Sequence, residues 1–355
     1  MRKQIFTTYI LAFLGLFLTV VIAYIFYEKE TKNITALFKQ DINDKVNILN
    51  RELNDKIVVL KTIRFFYLSS QYVGALEFNA FTDDMIVRHK DIKAVSWIPR
   101  VLHENRDAFE KQWQLKYPFF EITQKSKERT ITRAYYKNEY YPVSYINPML
   151  DNEEAFGFDL SSEQNRKRTL EAARDSGKIS ATSILTLIQE KEKKKSFLIL
   201  VPVYTQPSYT LEKRRENIKG FVSGVIQMDD LIYHSFEDFR NAELGLEIID
   251  KKNSNEIIYE YEPMEFDTLD YTKSIKKNLH IFAQRQWSVE ITPTSQFYGS
   301  RRSFVPYLIL VMGFSFVVVG TLYTLIILRY AIDIETKINA KSNKLKQRYL
   351  LLWLN

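Results

Sequence analysis

Two uncharged apolar runs, residues 5–27 and 304–328, bracket about three quarters of the chain. At 23 and 25 residues and roughly 1.5 Å of rise per residue, each is long enough as a helix to cross a hydrocarbon core about 30 Å thick. Residues 28–303 between them are too numerous and too charged to form a loop. They are predicted to form a folded domain that both ends anchor to one side of a membrane.

Basic residues beside the two runs predict the orientation, because cytoplasmic flanks are rich in Lys and Arg. Arg2 and Lys3 precede the first run, and six basic residues follow the second within 329–348, against Arg301 and Arg302 on the central side. Both termini are therefore expected in the cytoplasm of a bacterium, with the central domain periplasmic or extracellular. The first run exceeds a signal peptide's apolar core of about 7–15 residues and no A-x-A site follows it, which favours an uncleaved anchor.

The net charge of +7 is concentrated at the two ends. Residues 1–4 carry +2 and residues 329–355 carry +4, which leaves +1 for the rest. A nearly neutral domain between basic ends reflects membrane topology, so no nucleic-acid partner is expected. The chain has no Cys, which excludes thiolate metal ligands and cysteine nucleophiles.

Residues 28–70 are predicted to form a stalk helix that continues out of the membrane. They contain neither Gly nor Pro, and their apolar residues step by three and four, as on one face of a helix. This stripe consists of Ile42, Val46, Leu49, Leu53, Ile57 and Leu60. In its lower half the stripe packs either on its own domain or on its twin in a homodimer, and beyond Thr62 self-packing is favoured.

The remainder is predicted to be α+β, in a larger lobe at 71–235 and a smaller one at 236–303. Runs rich in β-branched and aromatic residues predict strands, at 94–99, 119–123, 140–145, 183–188, 196–203 and 220–227, then 245–250, 257–260 and 287–292. Helices are predicted at 105–117 and at 162–176, the latter ending at Gly177. Residues 190–195 are interpreted as a solvated hairpin tip.

No catalytic constellation is visible in the sequence. The four histidines are scattered, and Asp229 and Asp230, as neighbours in a strand, would point to opposite faces. Glycines are few and dispersed, so there is no phosphate-binding loop. Catalytic residues, metal ions and cofactors are therefore not predicted, and the chain is not expected to be an enzyme.

Seven sequence blocks resemble, in order, the CHASE domain, an extracytoplasmic sensor module of histidine kinases and nucleotide cyclases. The blocks are 97–101 (WIPRV), 119–123 (FFEIT), 140–143 (YYPV), 157–160 (GFDL), 172–177 (AARDSG), 200–204 (LVPVY) and 220–224 (GFVSG). They span roughly residues 75–230, between the two apolar runs, which is where that family places the domain. The resemblance implies a stalk helix, two PAS-like lobes of which the membrane-distal one binds the ligand, and a dimer.

The same resemblance points to a ligand-binding position. In plant cytokinin receptors an Asp immediately before the E-Y-x-P-V block binds the adenine of the ligand, and here that position holds Asn138. Its amide retains a donor and an acceptor. With the Tyr-rich strands around it, the predicted ligand-binding residues are Tyr136, Asn138, Tyr140, Phe158, Thr182, Leu185, Leu200, Phe221 and Ser223.

Members of the family join this sensor to a cytoplasmic kinase, diguanylate cyclase or phosphodiesterase. Residues 329–348 resemble the start of a signalling helix, and the sequence stops at Asn355, so a truncated receptor is expected. The leading hypothesis is the input half of a transmembrane receptor for an unknown small molecule. The alternative is a membrane-tethered binding or scaffold protein without an output domain.

Overall fold

The computed structural model describes residues 2–126, 130–186, 194–236, 243–263 and 268–353. Most of the predicted hairpin tip at 190–195 lies outside these residues. The chain divides into two compact units, one of Met1–Phe38 with Tyr298–Asn355 and one of Lys39–Phe297. The first helix contributes to both units.

Two long helices form most of the first unit. The helix α1 (Arg2–Ser69) begins in the first apolar run and continues through the predicted stalk. The last helix of the chain (Val305–Trp353) contains the second apolar run. Both are long and apolar enough to cross a membrane, by length and composition.

Small residues bring these two helices into contact inside the first unit. A Cβ atom on Gly313 would collide with Thr19, and one on Gly15 would lie 2.9 Å from a methyl of Val317. Glycine at such positions lets helix backbones approach closely in an apolar medium. Where the first apolar run ends, the guanidinium carbon of Arg302 lies 3.6 Å from the ring centroid of Tyr27.

The second unit contains shorter helices and all of the strands. Its helices are α2 (Ala75–Arg88), α3 (Arg106–Gln114), α4 (Gln164–Ser176), α5 (Leu211–Asn217) and α6 (Met228–Ser235), and α7 (Phe297–Ser300) leads into the final helix α8. The strands of the first part are β1 (Ile92–Pro99), β2 (Val101–Leu102), β3 (Thr123–Lys125), β4 (Ile131–Arg133), β5 (Glu139–Tyr140), β6 (Tyr145–Asn147), β7 (Ser180–Ala181), β8 (Leu185–Thr186), β9 (Lys195–Tyr204) and β10 (Ile218–Gln227). Those of the second part are β11 (Leu244–Asp250), β12 (Glu256–Tyr261), β13 (Ile275–Asn278) and β14 (Trp287–Pro293).

Two antiparallel sheets organise this unit. The first has the order β6-β1-β10-β9-β7, with β8 also paired to β9, and the second has the order β12-β11-β14-β13. The pairs β2–β5 and β3–β4 form two small ribbons. The predicted fold class is therefore confirmed: α+β, with a long N-terminal helix and two antiparallel-sheet lobes between two apolar helices.

The first sheet is covered on both faces. On one face Leu60 of α1 abuts Gly224, where an added Cβ would lie 2.9 Å from a leucine methyl, and Tyr67 stacks on Trp97 with ring centroids 4.0 Å apart. On the other face α4 and the loop before it pack against alternate residues of β9 and β10. This arrangement follows from the period of two in strand side chains.

The apolar stripe of α1 packs on its own domain. Five of its six members, Ile42, Val46, Leu49, Leu53 and Leu60, are each at most 6 % exposed within a single chain, and Ile57 is half-buried. The alternative in which this stripe faces a twin helix is thus not the arrangement in the structure. A homodimer through the stalk stays a prediction, and it would use another face of α1.

Several predicted elements differ from the structure for identifiable reasons. The strand predicted at 119–123 is reduced to its last residue, because residues 118–119 lie in a turn that leaves Phe119 98 % exposed. The strand predicted at 140–145 is split into β5 and β6 around Pro142, which has no N–H to donate to a ladder. The edge strand β13 was not predicted, because polar residues dominate it.

Candidate functional site

The loop 148–163 and the helix α4 cover one face of the first sheet and enclose a small cavity. We call it the inner cavity; its volume is about 30 Å³. Its lining is apolar except for three side chains: Ile98, Val143, Ile146, Ala155, Phe158, Leu160, Leu198 and Val225 with Ser96, Arg166 and Ser223. Alternation along β1 and β10 directs both serines to this face, and the two residues pair directly across the strands.

Arg166 enters this cavity from the first turn of α4. The residue is 3 % exposed, and its guanidinium carbon lies 5.3 Å from the ring centroid of Phe158. Glu163 Oε2 lies 3.1 Å from Nε, at an angle that does not make a hydrogen bond. Burial holds the pKa of the Arg166 guanidinium below its usual value, because desolvation disfavours a charge.

A larger opening, the outer cleft, borders other residues of α4 and has a volume of about 500 Å³. Its walls come from the segment around β5 and from α4, and most of its side chains are charged or polar. They are Lys137, Asn138, Glu139, Tyr141, Ser161, Lys167, Leu170, Glu171 and Arg174. Leu170 and Tyr141 also belong to the core cluster beneath the sheet, so the cleft has an apolar floor and a polar rim.

The charges of the outer cleft are largely paired with one another. Lys137 Nζ lies 2.6 Å from Asp159 Oδ2, and Asp159 is fully buried. Arg174 lies 3.4 Å from Glu139 and 2.7 Å from Asp175. Hydrogen bonds from Arg215, and then from Arg174, lower the pKa of the Asp175 carboxyl to about 2. The rim is therefore a preformed ion-pair network.

Burial also affects the tyrosine on the cleft floor. Desolvation, and then the nearby charge of Glu139, raise the pKa of Tyr141 above its usual value. Its hydroxyl donates to Glu139 Oε1 at 3.1 Å. This phenol is thus a neutral hydrogen-bonding group at the base of the cleft. Within the described ranges, no group of three or more His, Asp or Glu side chains is placed to hold a metal ion.

The nine predicted ligand-binding residues do not form one site. Phe158, Leu185, Leu200 and Phe221 share the core cluster beneath the sheet, and Phe158 and Ser223 line the inner cavity. Asn138 is exposed and lines the outer cleft.

The remaining three predicted residues lie elsewhere. Tyr140 is fully buried in a separate cluster, where its hydroxyl accepts a hydrogen bond from Arg106 at 3.3 Å. Thr182 accepts one from the Leu198 amide at 3.0 Å, and Tyr136 is 72 % exposed. The structure thus separates the aromatic-rich segment into core, cleft and surface.

Sequence reasoning missed Arg166 and the paired charges around Asp159. Arg166 belongs to the run 165–168 (NRKR), which looks like the solvated face of a helix. Asp159 and Arg174 both stand in blocks shared with the CHASE domain. This resemblance is the feature of the sequence that could have indicated the cleft. No local pattern distinguishes Arg166 from its exposed neighbours.

The sequence model of the CHASE domain family matches residues 71–259, which is more than half of the chain. The chain therefore belongs to the CHASE domain family, as its sequence blocks predicted. Its central domain is a sensory domain of the type found in membrane receptors. The match covers the first sheet, the inner cavity and the outer cleft.

Comparison with known proteins gives more distant relatives. Hybrid signal transduction histidine kinase A of Dictyostelium discoideum is 22% identical over 306 residues, which are 79% of this chain and 14% of that protein. The chain thus spans about one seventh of the curated relative it matches.

Among solved structures, the periplasmic sensory domain of the Campylobacter jejuni chemoreceptor Tlp1 is 10% identical, with a TM-score of 0.46 over 78% of this chain and 99% of that one. The ligand-binding domain of the Pseudomonas fluorescens chemoreceptor CtaA in complex with L-isoleucine is 8% identical, with a TM-score of 0.41 over 78% of this chain and 98% of that one.

Proposed function

We propose that the chain is the input half of a transmembrane receptor and that its central domain senses a small molecule outside the cytoplasm. The observation that carries this proposal is the outer cleft, whose volume of about 500 Å³ is within the usual range of about 300–1,000 Å³ for small-molecule sites. Two of its lining residues, Tyr141 and Arg174, stand in blocks shared with the CHASE domain. Family membership supports the sensory role.

The ligand of the outer cleft is proposed to be polar. Asn138 and Glu139 offer hydrogen-bonding groups on one wall, and Lys167, Glu171 and Arg174 offer charges on the other. A neutral apolar compound would displace water from these groups without offering them hydrogen bonds in return, which costs free energy. Tyr141 and Leu170 provide the apolar floor.

The experiment is a ligand screen by thermal shift on the full chain in detergent, repeated with Asn138→Ala. A hit that binds the outer cleft loses affinity in this variant, by the ~0.5–1.5 kcal/mol of one hydrogen bond, while the ligand-free melting temperature stays unchanged. Asn47→Ala, at an exposed position of α1, is the matched control. Unchanged affinity in Asn138→Ala for every hit would place the ligand elsewhere.

The receptor is further proposed to be a two-span protein of a bacterial inner membrane that acts as a homodimer through the stalk helix. Coupling to a histidine kinase output is a proposal from the curated relative, of which this chain spans a small part. Light scattering of the detergent-solubilised chain should give the mass of two copies. A mass of one copy at all protein concentrations would contradict the dimer.

A further inference from the structure

The inner cavity holds a buried positive charge that its surroundings compensate only in part. The side chain of Arg166 is 4 % exposed, whereas that of Glu163, its nearest carboxylate, is 44 % exposed. Placing a guanidinium in a protein interior is costly unless a partner and hydrogen bonds offset the lost hydration. The Nε of Arg166 has no hydrogen-bond partner among the described residues.

Two hydroxyl groups face the same space. Ser223 is 1 % exposed, and its Oγ lacks a hydrogen-bond partner within the part of the chain that the structure describes. Ser96 lies directly opposite on β1 and is also buried. Most buried polar atoms in native proteins are hydrogen-bonded, so an unpartnered hydroxyl beside a buried cation calls for a specific explanation.

The remaining lining limits what else can fit. Apolar side chains such as Phe158, Leu198 and Val225 form the rest of the wall, and a volume of about 30 Å³ accommodates a water molecule or a few non-hydrogen atoms. A carboxylate matches the planar guanidinium and accepts hydrogen bonds from hydroxyl groups. A short alkyl tail matches the apolar wall.

We propose that the inner cavity binds a small monocarboxylate of the size of acetate or propionate. Its carboxylate accepts hydrogen bonds from the guanidinium of Arg166 and from the hydroxyl of Ser223, and its methyl or ethyl group contacts the side chains around Phe158. This site is separate from the outer cleft, where the charges are paired with one another. It therefore goes beyond the proposed function and does not depend on the ligand of the cleft.

The test measures the melting temperature of the full chain in detergent against increasing sodium acetate or sodium propionate, with sodium chloride holding the ionic strength constant. Acetamide and propionamide, which have nearly the same shape and no charge, serve as ligand controls. Both carboxylates are expected to raise the melting temperature in a saturable manner, since a ligand that binds only the folded state stabilises it. The amides are expected to have no such effect.

Three variants locate the site. Ser223→Ala is expected to weaken carboxylate binding about tenfold, because it removes one hydrogen bond to a charged group. Arg166→Met removes the charge at similar length and is expected to abolish binding. Ser196→Ala is the matched control, because Ser196 is also fully buried and its Oγ also has no partner among the described residues, but it does not line the cavity.

Three results would contradict carboxylate binding in the inner cavity. A melting temperature that responds to neither carboxylate would overturn the proposal. This is the result expected if the cavity holds only water. Equal responses to acetate and acetamide would also overturn it, as would equal losses in Ser223→Ala and Ser196→Ala. If Arg166→Met does not fold, the comparison of the two serine variants still decides. Asn138→Ala is expected to leave carboxylate binding unchanged, so failure here and failure of the outer cleft remain distinguishable.

Discussion

At the scale of single residues, buried charge attaches the N-terminal helix to the first sheet. Lys56 of α1 is 1 % exposed, and its Nζ lies 2.9 Å from Asp91 Oδ2 and 3.0 Å from Glu52 Oε2. His89 Nδ1 is 3.3 Å away. Asp91 directly precedes β1, so this ion pair connects the helix to the start of a central strand.

Lys56→Ala should destabilise the folded domain by about 3–5 kcal/mol, because it leaves the buried carboxylate of Asp91 without its cation. The free energy of unfolding from urea titration is the measurement. Lys213→Ala is the control: its pair with Glu216 has side chains 58% and 63% exposed and should contribute less than about 1 kcal/mol. Equal effects of the two substitutions would contradict a structural role for Lys56.

The low pKa of Asp175, about 2, predicts a pH dependence. A carboxyl whose pKa is lower in the folded state than the ~3.9 of an unfolded chain contributes stability above that value and loses it as pH falls toward 2. Asp175→Asn should therefore flatten the stability curve between about pH 4 and pH 2. Its cost at pH 7 should stay near 1 kcal/mol, because Arg215 is half-exposed.

Unfolding curves of Asp175→Asn and of the parent protein at several pH values in this window provide the test. Asp84→Asn serves as the reference, since Asp84 pairs with Arg88 through side chains that are more than 70% exposed. A parent protein and an Asp175→Asn variant with parallel pH profiles would show that this carboxyl is not responsible.

At the scale of elements, close contact between α1 and the first sheet depends on a missing side chain. Gly224 on β10 faces Leu60, and a larger residue there would push the helix away from the strand. Gly224→Ala should cost about 1–3 kcal/mol from overpacking, and Leu60→Ala about 2–5 kcal/mol from a cavity.

Combined, the two substitutions should cost less than their sum, because the removed leucine methyls make room for the new Cβ. A double-mutant cycle on the free energy of unfolding measures this coupling. Strictly additive effects would indicate that the helix and the strand do not contact each other at these positions.

At the scale of the whole molecule, two apolar helices flank the central unit. Reporter fusions after Thr31 and after Tyr330 should lie on opposite sides of the membrane, with a periplasmic reporter active after Thr31 and a cytoplasmic reporter active after Tyr330. The physical reason is the excess of Lys and Arg outside the apolar runs at both ends. Cytoplasmic activity at both positions would rule out two spans.

Local patterns in the sequence determined α1, α3, α4 and α8, the main strands and the family, whereas α2, α5 and α6 were not predicted. The period of the α1 stripe and the β-branched runs of β1, β9 and β10 depend only on neighbouring residues, so they are readable without a structure. The blocks shared with the CHASE domain identified the sensory class in the same way.

Tertiary structure alone decided which surfaces these elements bury and which charges they enclose. The lower half of the α1 stripe predicts two arrangements equally well, and the burial of Ile42, Val46, Leu49 and Leu53 within a single chain selects one. Arg166 has the same local surroundings as its exposed neighbour Lys167, and only the packing of α4 over Phe158 and Ser223 buries it. Burial depends on residues distant in sequence, and therefore local periodicity does not reveal it.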